Sequence, residues 1–153
     1  MKYAVISFLL ILFCFSGCAH VTVDELTDKY KISFSTETKN TLFESENAKD
    51  NRLDIIIKGV VTNLDNKFNN NKSNIGRDNI NIKIEVLSYG VMLKRIPPTR
   101  HWVTYKVDII DNNNKVLGSR MYEDGQPGIS DIVDEITENI YKFSIEIMQD
   151  KLR

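Results

Sequence analysis

The chain has 153 residues, room for one domain and not comfortably for two. Hydrophobic residues make up 42%, charged residues 27%, and the net charge is −1, which excludes a disordered tail. With 20 Lys+Arg against 21 Asp+Glu the chain is no basic nucleic-acid binder, and two cysteines make no disulfide framework.

Met1-Lys2 gives a short positive end, and Ala4 to Phe15 is an apolar run broken only by Ser7. Ser16, Gly17 and Cys18 follow. A positive end, an apolar run of this length and small residues at the cut describe an export signal. The rival is a membrane span, but twelve residues at ~1.5 Å each reach only about 18 Å, short of the ~30 Å hydrocarbon core. Phe15-Ser16-Gly17-Cys18 resembles the lipobox of bacterial lipoproteins. The resemblance implies diacylglycerol on the Cys18 thiol, cleavage before Cys18 and acylation of the new amine. Each buried CH₂ contributes about 0.8 kcal/mol, and several acyl chains together anchor durably. By the sorting rule of enteric-type lipoproteins that the resemblance brings with it, Ala19 after the cysteine implies the outer membrane with the domain facing the periplasm; a surface-exposed or Gram-positive location is the alternative. The alternative is an ordinary signal peptide with an incidental cysteine. The expected division is a signal over 1–17, a lipid-anchored tether over 18–28 and a single domain over 29–153, with Ala19 to Asp28 read as a tether or the first ordered turn.

Tyr30, Ile32 and Phe34 alternate with polar residues and predict a first strand. Thr38 to Asn51 is polar and reads as a short helix at most. Leu53, Ile55, Ile57, Gly59 and Val61 predict one face of a second strand, with Ile56 and Val60 on the other, so it is placed centrally. Asn63 to Asn81 holds eight asparagines in 19 residues and reads as a loop. Ile80, Ile82, Ile84 and Val86 predict a half-buried strand; Gly90 and Pro97-Pro98 bracket the next connection. Val103 to Ile109, the turn Asp111 to Asn114 and Lys115 to Tyr122 predict a hairpin. Gly125, Pro127 and Gly128 break the chain before Ser130, read as the N-cap of a helix of about 22 residues. Its stripe is Ile129, Ile132, Val133, Ile136, Ile140, Phe143 and Ile147. The expected fold is α+β: a mostly antiparallel four- to five-stranded sheet with the long C-terminal helix across one face.

No cluster of cysteine, histidine and carboxylate has metal-site spacing, and no nucleophile elbow, P-loop or dinucleotide fingerprint occurs. No cofactor is implied, and no catalytic residue is assigned. Lys94, Arg95, Arg100, His101 and Trp102 fall within nine residues around Pro97-Pro98 and form the candidate partner contact, since Arg and Trp are enriched at binding hot spots. The competing assignment is a solvated connection with Trp102 filling a sheet edge.

Asn79 to about Met148 resembles the small YajG-like envelope lipoproteins: a strand, a loop, the aromatic-led Trp102 to Asp108, the return Asn114 to Leu117 and a long Ile-rich helix. That resemblance implies an α/β sandwich and no catalytic residues. The function expected is a non-enzymatic, lipid-anchored envelope protein whose domain binds a protein or cell-wall partner. An assembly subunit of an envelope secretion or transport complex, or a periplasmic inhibitor or immunity protein, stands as the alternative.

Overall fold

A computed structural model describes residues 23–39, 51–69, 78–92 and 100–152 of the chain. Its elements, in order, are α1 (Val23–Lys29), β1 (Tyr30–Thr38), α2 (Arg52–Asn69), β2 (Asp78–Met92), β3 (Arg100–Asp111), β4 (Val116–Gln126) and α3 (Ile129–Leu152). The fold is α+β. One four-stranded sheet runs in the order β1-β2-β3-β4, with β1 and β2 parallel and the other two pairs antiparallel.

The stretch read as a second strand is the helix α2. Leu53, Ile56, Val60, Leu64 and Phe68 are buried, a spacing of three to four that makes one helical stripe, while Ile55 is 49% exposed. Asn51 accepts the Ile55 amide at the head of the helix, and Asp54 lies in its first turn. α2 therefore forms the crossover that a parallel pair requires. Its last residues, Asn63 to Asn69, come from the stretch read as an Asn-rich loop, and β2 takes Asp78 to Asn81 from its other end. Residues 70–77 and 40–50 lie outside the described residues.

α2 and α3 lie side by side on one face of the sheet. At Gly59 an added Cβ would stand 3.1 Å from Val133 Cγ1, so the missing side chain sets how closely the two helices pack. α3 has 24 residues and buries Ile132, Val133, Ile136, Ile140 and Phe143 as expected, and Met148 in addition. Its first turn is closed by the Gly128 carbonyl, which accepts the Ile132 amide; Ser130 lies within that turn and is not the cap. The predicted hairpin is present. Asp111 Oδ1 accepts the amides of Asn113 and Lys115 at 2.9 and 3.0 Å, and Asn114 adopts φ 60° between them. α1 adds fully buried Leu26 to the core, so of the two readings of Ala19 to Asp28, tether or first ordered turn, its described part is ordered structure.

Candidate functional site

Alternation along β3 sorts its residues onto two faces. His101, Val103, Tyr105, Val107 and Ile109 are buried toward the helices; Arg100, Trp102, Thr104 and Lys106 point to the other side. No described helix packs on that second face. Cross-strand rows cover it instead. Ser35, Lys83, Asp108 and Ser119 form one row, Glu37, Glu85, Lys106 and Met121 the next. Lys83 pairs with Glu37 at 2.6 Å, Lys106 with Asp108 at 2.9 Å, and Lys39 with Glu85. Burial pushes the Asp108 carboxyl up, but the Ser119 hydroxyl and the ammonium groups of Lys106 and Lys83 more than offset it and hold it below its ordinary value. The Glu37 carboxyl is held low by its hydrogen bond to Lys83.

The face changes character toward the start of β3. Trp102 stands between two glycines, Gly90 on β2 and Gly125 on β4, its direct partners in the sheet. A Cβ placed on Gly90 would fall 2.0 Å from Cζ2 of the indole, 2.2 Å from Cε2 and 2.7 Å from Cη2. The indole therefore occupies the space that any larger residue would fill. Both glycines lie within strands, so the expected break points at Gly90 and Gly125 are corrected. Arg100, Trp102, Glu123, Asp124 and Gly125 line an open groove of ≈ 540 Å³.

Beneath the groove, buried polar groups fix the sheet. Tyr105 donates to Asp124 Oδ2 at 2.6 Å, and the Asn139 amide reaches both Asp124 oxygens at 3.1 and 3.0 Å. Burial, and then the Asp124 carboxylate, push the Tyr105 hydroxyl well above its ordinary pKa. Tyr105 and Tyr122 stack with ring centroids 5.2 Å apart. Asp124 is thus a structural carboxylate tying β4 to β3 and α3.

The predicted contact residues divide. Arg100 is exposed at the groove, and Trp102 forms its wall, on the face opposite Val103 and Tyr105 as the alternation required. His101 does not belong to the surface. It is 5% exposed, turned toward the helices, with Nδ1 3.0 Å from the Tyr89 hydroxyl. Lys94 and Arg95 lie outside the described residues, as does Cys18. Sequence reasoning missed Glu123, Gly125 and Gly90. For Gly125 and Glu123 the signal was available in the hairpin register, which sets Gly125 beside Trp102 and Glu123 beside Thr104; Gly90 pairs with Trp102 from β2, outside the hairpin.

Among the described residues no group of three or more His, Cys, Asp or Glu could hold a metal ion, and no helix is long and apolar enough to cross a membrane. No family model matches the chain, and no curated protein matches it. A crystal structure of a Xanthomonas campestris protein of the DUF330 family is similar over 82% of this chain and 88% of that one, with 9% identity and a TM-score of 0.46. That likeness is too loose to assign a function.

Proposed function

We propose that the protein is lipid-anchored in the bacterial envelope through Cys18 and holds its α+β domain beside the membrane to bind a partner at the Trp102 groove. The order of charge, apolar run and Ser16-Gly17-Cys18 supports the anchor. The groove carries the binding reading: an aromatic ring next to Arg100, outside the core, on glycine backbone that leaves the approach open. Anchoring confines the domain to a thin layer and raises its effective concentration for a target in that layer.

Two measurements test the reading separately. Cys18→Ser should lose palmitate labelling and move to the soluble fraction; continued membrane retention would refute the anchor. A photocrosslinker at Glu123, in the native envelope, should give a discrete adduct that Trp102→Ala removes and that the same label at Asn66 on α2 does not give. Equal adducts from both positions would remove the groove from the argument.

A second reading, an assembly subunit, is favoured by β4. Among the described residues this strand is an outer edge of the sheet, and it leaves Met121 63% and Val116 50% exposed. Unpaired strand edges with apolar side chains accept a further strand. Under this reading Met121→Lys dissociates a complex seen by native electrophoresis, while Trp102→Ala does not.

A further inference from the structure

The three distances from a Gly90 Cβ to the indole also fix how the ring lies. A point beyond the ring edge would sit far closer to one atom than to its two neighbours. Here the neighbours are nearly as close as Cζ2, at 2.2 and 2.7 Å against 2.0 Å, so one face of the ring covers the glycine. The other face turns away from the sheet, and Gly125 leaves the flank toward β4 low. Around this plate stand a cation, a hydroxyl and a carboxylate: Arg100 and Thr104 at two residues either way along β3, and exposed Glu123 across from Thr104.

That combination selects the ligand. A flat aromatic face attracts the positive edges of C–H bonds, and a few polar groups around it fix orientation. A strongly anionic peptide would meet Glu123, and a strongly cationic one would meet Arg100. An extended peptide would add to the outer edge of β4, one strand away from Trp102, and not to β3, which is paired on both sides. A pyranose ring offers an apolar C–H face for the indole and rim hydroxyls that both donate and accept, suiting the carboxylate and the guanidinium together.

The position in the fold agrees. α1 leads directly into Tyr30, which pairs with Asp78, while Lys151 at the end of α3 approaches both the Tyr30 ring and Asp111. The chain therefore enters at the pole carrying the β3–β4 turn. Trp102 lies nine residues along β3 from Asp111, about 30 Å away at the rise of an extended strand. Cys18 is five residues before Val23, a reach of at most about 18 Å. The groove is at the pole far from the proposed anchor.

We infer that the Trp102 groove is a sugar-binding platform that takes a residue of a cell-wall glycan strand. This rests on the proposal that the groove is the contact site, and it names the ligand class. The test uses the full acylated protein in detergent micelles and a β-1,4-linked N-acetylglucosamine tetramer, read by the emission of Trp102, the single tryptophan. A saturable change in emission is expected, with glutamate-rich and lysine-rich peptides giving none. Arg100→Ala and Glu123→Gln should each weaken binding about tenfold, the loss of one hydrogen bond to a charged group. Gly125→Val should abolish it by filling the flank of the plate. An added Cβ there meets only ordinary contacts, 3.5 Å from the His101 carbonyl oxygen and 3.6 Å from Trp102 Cβ. If Gly125→Val fails to fold, the Arg100→Ala/Glu123→Gln double variant, both side chains exposed, decides instead. No saturable change with the tetramer, or undiminished binding by the double variant, overturns the inference. If adducts still form from Glu123 while the tetramer leaves Trp102 unmoved, the contact site stands and the sugar falls; if both fail, so does the contact site.

Discussion

Trp102 shows how much one residue's role depends on its neighbours across the sheet. A tryptophan on the solvent side of a strand would ordinarily lie against long side chains; here the place beneath it is empty of any side chain at Gly90. The pairing makes a sharp prediction. Gly90→Ala puts a methyl where the ring now lies, and the indole must leave. Overpacking of this kind costs about 1–3 kcal/mol. Thermal denaturation should show the loss, and Trp102 emission should shift to longer wavelength as the ring enters water. An unchanged melting temperature and spectrum would mean that the ring does not cover the glycine. At this scale the sequence was half legible. Composition and proximity picked out Arg100 and Trp102, and alternation put Trp102 on the correct side of its strand. Proximity alone could not separate His101 from them, because adjacent residues of a strand face opposite ways. That alternation takes His101 into the interior, where the Tyr89 hydroxyl meets it.

Among the elements, α2 carries the main lesson. Residues 53 to 61 are rich in Ile and Val, which favour strands, and apolar residues occupy both odd and even positions. Such filling fits a strand covered on both faces, and it fits a helix stripe equally over nine residues. Leu64 and Phe68 settle the matter, because they continue the spacing of three to four while Thr62 and Asn66, which a strand face would also need to be apolar, are polar. They lie inside a segment whose asparagines favour a loop, which divides one helical stripe between two opposing signals. The competing assignments differ measurably. Ile56→Ala should cost about 2–5 kcal/mol, as expected for a buried large-to-small change. Ile55→Ser should stay within about 0.5 kcal/mol, since that side chain faces water. Equal losses in urea denaturation would contradict the helix. The β3–β4 hairpin and α3 were legible because each declares itself locally, by an Asp-Asn turn and by one long stripe. The parallel pairing of β1 with β2 was not, since it depends on α2 being a helix.

For the molecule as a whole, charge is arranged to hold one sheet face in water while the other carries the core. The carboxyls of Glu37, Asp108, Asp111 and Glu138 are all held below their ordinary values, Asp111 chiefly by the Lys115 amide and Glu138 chiefly by the Lys67 ammonium. Groups that are more acidic folded than unfolded bind fewer protons in the native state. Their contribution is therefore present above the unfolded carboxylate range and disappears as pH falls through the lower folded values. Melting temperature should be flat near neutrality and fall steadily as the carboxyls protonate; Asp108→Asn should flatten part of that slope. A profile that rises on acidification would show the assignment of sign to be wrong.

The one parallel pair has a consequence in time. Tyr30 must find Asp78, 48 positions later, whereas β2, β3 and β4 meet as near neighbours through short returns. Closing a long loop delays contact, and distant pairings form slowly. The C-terminal meander with α3 is thus suited to condense first and to offer β2 as a template. β1 and α1, the part nearest the N-terminus, dock onto it last. The earliest described elements in chain order are completed last, and a chain fixed on its N-terminal side would finish folding next to the point where it is held.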